Sequence, residues 1–178
     1  MPDPGSSIGY TGRMPDTIPP TLRPSGAGVG SLVRDVLINL DVDDLSRAIR
    51  FYTEVFELRV GRWFGEQAVE LLGAKVAFYL LHKPAGTAAF VGAPGTQQER
   101  HTRSYERHWT PVHLDFVVSD VEVALQRAEA AGARREGPVQ QHSWGKVALL
   151  SDPWGHGFCL LQLLGRGYDE LATDPGAV

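Results

Sequence analysis

Apart from two methionines, a single cysteine, Cys159, is all the sulfur the chain carries. One thiol excludes an intramolecular disulfide and any multi-cysteine zinc site. Long hydrophobic runs are also missing: no stretch approaches the ~20 apolar residues of a membrane span. The first residues lack the basic start and apolar centre of a secretory leader, so the expected compartment is the cytoplasm and no membrane partner is expected. Nor does charge of one sign gather anywhere. Seventeen Lys and Arg are interspersed with 21 Asp and Glu, for a net charge of −4. Without a basic stripe to neutralise phosphates, nucleic acid is not an expected partner. The mild negative balance favours a cationic or neutral small molecule over an anionic one.

What is present suits a globular chain. Hydrophobic residues make up 43% and charged residues 21% of 178 positions, enough for one domain or two small modules sharing a core. Proline and glycine are unevenly spread. Residues 1–30 hold six prolines and six glycines and show neither a strand nor a helix period, so they read as a flexible arm. Gly26, Gly28 and Gly30 have no strand before them and no helix after them, and read as linker, not as a phosphate loop. A second polar stretch, residues 83–111, ends in the charged segment Glu99–His108 and reads as an inter-module linker or a lid. Residues 165–178 read as a surface extension.

Between these stretches the chain repeats itself. At an offset of 76, Val36 meets Val112, Val42 meets Val118, Asp44 meets Asp120 and Ala48 meets Ala124. Each copy opens with a β-type run, Leu32–Val42 or Val112–Val118, and then turns helical. Leu45, Ala48, Ile49, Tyr52, Val55 and Phe56 form one apolar stripe, and Val121, Ala124, Leu125, Ala128 and Ala131 another. Asp43 or Asp44, and Ser119 or Asp120, are suited to cap these helices, and Gly132 to stop the second. Val69–Leu72 resembles Val147–Leu150, and Phe78–Leu81 resembles Phe158–Leu161. Asp152-Pro153-Trp154-Gly155 has the residue order of a type I turn. The expected fold class is therefore α+β. Two tandem βαβββ modules, 31–82 and 112–164, form a half-open barrel with helices outside and a concave ligand cup.

The segments NLDVDDLSRAIRFY (39–52), HLDFVVSD (113–120) and DPWGHGFCLL (152–161) resemble the glyoxalase / bleomycin-resistance / extradiol-dioxygenase group, the vicinal-oxygen-chelate superfamily. The resemblance spans residues 31–164 and implies the paired βαβββ fold. Activities in that group range from lyases, isomerases and dioxygenases to binding proteins without chemistry. Its metal-dependent members carry ligands near the start of the first strand and in the last strand of each module. Here those positions are Leu37, His113, Tyr79 and Cys159, of which His113 alone is the usual ligand type. No cofactor is expected on this count; a divalent metal on His113 would rest on an incomplete set. A homodimer is the assembly the resemblance admits.

His113 and Asp115 lie two residues apart on one strand, so both side chains point to one face, and the bland alternative is a core histidine bonded to backbone. Glu70 is a candidate general base, or else a solvated strand residue. With His113 and Asp115 it completes the catalytic candidates. Asn39, Tyr79, Trp109, Trp144 and Cys159 are candidate ligand-binding residues, with a small buried hydrophobe the favoured reading of Cys159. Trp144, Trp154 and Trp109 can stack on a planar ligand or plug turns. His101, His108 and His156 are expected at the solvent. Two functions follow: a metal-independent binder of a small organic molecule, or a lyase, isomerase or dioxygenase-type enzyme using His113 with Asp115 or Glu70.

Overall fold

The computed structural model of the chain describes residues 35–89, 102–108 and 110–172. The expected arm at 1–30, much of the linker, and the candidate Trp109 lie outside them. The first module runs β1 (Ile38–Val42), α1 (Leu45–Phe56), β2 (Arg59–Phe64), β3 (Ala68–Leu72) and β4 (Phe78–His82). The second runs β5 (Leu114–Val117), α2 (Val121–Ala130), β6 (Arg134–Arg135), β7 (Gln140–His142), β8 (Gly145–Ser151) and β9 (Gly157–Leu163), followed by a 3-10 turn at Gly167–Glu170. The expected βαβββ order holds, with the second strand of module two split into β6 and β7 around Gly137 and Pro138, both pairing with β8.

Each module makes its own sheet, in the order β1-β4-β3-β2 and β5-β9-β8-β6. The strands entering the helices, β1 and β5, pair in parallel with the last strands, β4 and β9. The two sheets stay separate, so no closed barrel forms. Both helices start as their spacing predicts. Asp44 accepts from the Arg47 N–H and Asp120 from the N–H groups of Glu122 and Val123, satisfying otherwise orphaned donors. Gly132, at φ +103°, follows the end of α2.

The registers correct one strand alignment. Leu71 pairs with Phe78 and Leu150 with Phe158, which makes Glu70 the counterpart of Leu149 and not of Ala148. Val-Glu-Leu-Leu and Val-Ala-Leu-Leu lack a clean two-residue alternation, so sequence alone leaves a one-residue slip unresolved.

One face of each sheet is covered by the helices. Ala48, Phe51, Tyr52 and Val55 of α1, and Val121, Ala124, Leu125 and Ala128 of α2, are buried. The modules share one core, in which the Phe56 ring stacks on Phe116 at 3.8 Å and Phe78 follows at 5.6 Å from Phe116. The β8–β9 turn also reaches across. Trp154 is fully buried, its indole N–H donates to Asp43 Oδ1 at 2.8 Å, Phe51 meets it edge-on, and the Arg47 guanidinium lies 5.2 Å from its ring. Trp154 is thus a plug.

Beneath it the Asp152 carboxylate, wholly buried, accepts from the Tyr52 hydroxyl at 2.7 Å and from the N–H groups of Trp154 and His156 at 2.9 Å. It also bonds His156 Nδ1 at 2.8 Å. Burial, reinforced by Asp152, holds the Tyr52 phenol well above its ordinary range. His156 is therefore not the solvent-facing residue expected: its ring is 21% exposed and ties down the turn.

The described part of the linker is a strap. Arg103 Nε donates to Asp41 of module one at 2.7 Å, and the Tyr105 hydroxyl to the carbonyl of Lys83, the residue just after β4. His108 N–H reaches the Gly155 carbonyl on module two. Gly155, at φ +79°, is required here, because a Cβ would lie 2.1 Å from the Glu106 carbonyl oxygen.

Candidate functional site

The helix-free face of each sheet carries the residues singled out from sequence, and alternation puts them in rows across the strands. On the second sheet Asp115 pairs with Cys159, and Cys159 with Leu149, so these three point the same way. His113, two residues before Asp115, joins them, with Nε2 3.4 Å from Asp115 Oδ1. Their side chains are 59% and 38% exposed. Imidazole, carboxylate and thiol offer ligand atoms within 4.8 Å of one another. Burial, with the neighbouring Asp115 carboxylate, pushes the Cys159 thiol up to about 11, so it is protonated at neutral pH and is no ready nucleophile.

Two residues missed by sequence reasoning border this row. Glu136 follows β6 and its N–H donates to the Leu149 carbonyl at 2.8 Å. Arg107, from the strap, clasps the Glu136 carboxylate. Its guanidinium lies where a Cβ on Gly157 would point, on the side of the sheet shared by Cys159. Arg107 holds Glu136 below the usual carboxylate range. Exposed Val117, Leu149 and Leu163 supply apolar surface along the same sheet.

On the first sheet the equivalent row is Asn39, Tyr79 and Glu70. Glu70 differs from a free base. Its carboxylate accepts from Arg62 Nε at 2.9 Å, Nη2 at 2.6 Å and the Arg62 backbone N–H at 3.2 Å, and from the Tyr79 hydroxyl at 2.9 Å. The hydrogen bonds from Arg62, ahead of those from Tyr79, bring it down to about 2. Gly61 permits this arrangement, since a Cβ there would sit 2.6 Å from Glu70 Oε2. A carboxylate so occupied has little basicity left to offer a substrate. Arg62 also lies over the Phe64 ring at 5.5 Å.

The structure therefore brings together His113, Asp115 and Cys159 in one row, and Asn39, Tyr79 and Glu70 in another. Trp144 belongs to a different cluster: its ring stacks on His142 at 5.0 Å and leans on Tyr168 at 5.1 Å, at the end of the β7–β8 hairpin. The charged segment before residue 108 hinted at Arg107, but nothing local in sequence pairs it with Glu136.

Two βαβββ modules, each with a helix-covered and an open sheet face, define the class of protein. The glyoxalase-like domain family matches residues 37–161, and the chain belongs to it. Solved structures share the fold. The genomically encoded fosfomycin resistance protein FosX from Listeria monocytogenes is 17% identical, with a TM-score of 0.55 over 75% of this chain and 96% of that one. A mutant of it has been solved with Mn(II) and 1S,2S-dihydroxypropylphosphonic acid. A glyoxalase-related enzyme from Fulvimarina pelagi is 18% identical, with a TM-score of 0.54 over 74% of this chain and 88% of that one. TioX from Micromonospora sp. ML1 is 20% identical, with a TM-score of 0.51 over 74% of this chain and all of that one. No curated protein sequence matches. Among the described residues no helix is long and apolar enough to cross a membrane.

Proposed function

We propose that this chain is a cytoplasmic glyoxalase-like protein that binds a small organic molecule on the open face of its second sheet. His113 and Asp115 engage the ligand's polar group, and Asn39 and Tyr79 of the first sheet line the opposite wall. The observation that carries this reading is the contrast in polar satisfaction. Glu70 and Asp152 are saturated by protein donors, whereas His113 is more than half exposed beside Asp115, on a sheet face bearing Val117, Leu149 and Leu163. A polar pole set in exposed apolar surface is the composition of a ligand site.

A second reading rests on the 4.8 Å cluster. Leu37 offers no ligand atom, and a thiol stands where the family places a carboxylate, so the donors do not match an oxygen-rich manganese or magnesium site. Imidazole, thiolate and carboxylate together match zinc, which takes three protein ligands and an open position in catalytic sites. Such an ion would supply a Lewis acid beside the ligand, and the protein would then be an enzyme of the lyase or isomerase type, because zinc has no redox chemistry to offer dioxygen.

Tryptophan-fluorescence titration against planar cationic compounds and small phosphonates, with turnover followed on the same samples, tests the first reading. A binder should weaken at least tenfold on His113→Ala, about 1.4 kcal/mol. Unchanged affinity in a folded variant would remove His113 from the site. Elemental mass spectrometry of tag-free protein decides the second: one zinc per chain, lost on Cys159→Ala, would establish it, and a metal-free protein that still binds would reject it.

A further inference from the structure

A cavity of about 920 Å³ lies beside the row around His113 and meets it at Asp115. It is a groove between α2, the β3–β4 turn and the end of α1, sharing β5 with the candidate site. The internal repeat says what kind of group it fits. At the offset of 76 that aligns the two helix caps, Asp43, Arg47 and Phe51 correspond to Ser119, Val123 and Arg127. The first trio is the socket of Trp154: Asp43 takes its N–H, Arg47 lies over its ring and Phe51 meets it edge-on. The second trio lines the groove.

The turn that should fill that second socket does not. In module two, seven residues separate the register-matched pair Leu150 and Phe158, and they deliver Trp154. In module one, six residues separate Leu71 and Phe78, and Gly73-Ala74-Lys75-Val76 carries no aromatic. The result is an open socket in which Val123 is 47% exposed, with Phe56, Phe78 and Phe116 among its lining residues. Lys75 and the Arg127–Glu57 ion pair also line it, so cations stand within the groove.

We infer that this groove is a second small-molecule site, which takes a planar aromatic compound of indole type. The ring stacks against the phenylalanine wall, its N–H turns toward Ser119 in the role of Asp43, and the cavity size admits substituents on the ring. This goes beyond the function proposed above: the groove meets that face at Asp115, Val117 and Leu163, but its phenylalanine wall, its β3–β4 turn and its α2 side lie outside the His113 row.

Indole is the probe. In ¹⁵N-labelled full-length chain it should produce saturable shift changes at Ala74, Lys75, Ser119 and Val123. Ala74→Trp, which supplies from the turn the ring that Trp154 supplies opposite, should weaken indole at least tenfold and raise the thermal midpoint. Should that variant misfold, Val123→Glu at an exposed helix position makes the same block. Cys159→Ala should leave indole affinity unchanged, which separates this groove from the candidate site. Three results would overturn the inference: no saturation at millimolar indole, shifts confined to His113, Cys159 and Leu149, or a folded blocking variant with wild-type affinity.

Discussion

The two open sheet faces hold equivalent rows and treat their polar groups differently. In the first, Glu70 accepts four hydrogen bonds from Arg62 and Tyr79 and has no capacity to spare. In the second, the corresponding position is Leu149, and the polar groups stand two strands away at the start of β5 as Asp115 and His113, the latter more than half exposed. A duplicated module can thus specialise by location: one copy spends its ionisable groups on its own geometry, the other leaves them facing outward. Satisfied groups should govern stability and available ones binding, and each prediction below tests that division.

The largest effect should come from the plug that locks the modules together. Trp154 is fully buried and hydrogen-bonded, so Trp154→Ala should cost about 3–5 kcal/mol in urea unfolding, through the cavity it leaves. A loss below about 1 kcal/mol would mean the turn is not the lock. Asp152→Asn should follow at about 2–3 kcal/mol, since charged hydrogen bonds to Tyr52 and His156 are exchanged for weaker ones in a buried site. Near-wild-type stability of that variant would remove Asp152 from the satisfied class.

The helices and the shared face of His113 and Asp115 were readable before any coordinates; the saturation of Glu70, expected as a candidate base, was not, and the unread part has a physical cause. Spacing alone places α1, α2 and their caps at Asp44 and Asp120, because helix periodicity and capping are local properties. Their two-residue spacing along one strand puts His113 and Asp115 on one face. Three features escaped. The strand match around Glu70 slipped by one residue, because apolar neighbours hide the alternation. The pairing of Arg107 with Glu136, and the docking of Arg103 on Asp41, join residues far apart in sequence with no periodic signature. His156 looked like a surface residue because its anchor, Asp152, is buried only once the turn folds onto Tyr52.

Glu70 offers a test by pH. Its folded-state value is depressed from the ordinary 4.5 to about 2, so its contribution is fully present above about 4.5 and is lost as pH falls toward 2. Glu70→Gln should therefore be less stable than wild type at pH 7, and the gap should narrow across that window. A gap constant from pH 7 to pH 2 would show that the Arg62–Glu70–Tyr79 cluster is held by packing and not by charge.

The smallest effect should be on the residue that matters most for binding. His113 contacts Asp115 at 3.4 Å and its side chain is 59% exposed, so truncation leaves no sealed cavity and no deeply buried partner without water. Replacements at such positions usually stay within about 0.5 kcal/mol, and His113→Ala should do so in urea unfolding at pH 7. A core histidine would behave otherwise: abandoning its buried partner would cost about 1–3 kcal/mol. The contrast with Asp152→Asn is the informative quantity, since each change weakens one polar pair, the first exposed and the second buried. If both variants lost similar stability, the second sheet's polar row would be as structural as the first, and the division between the two faces would fail.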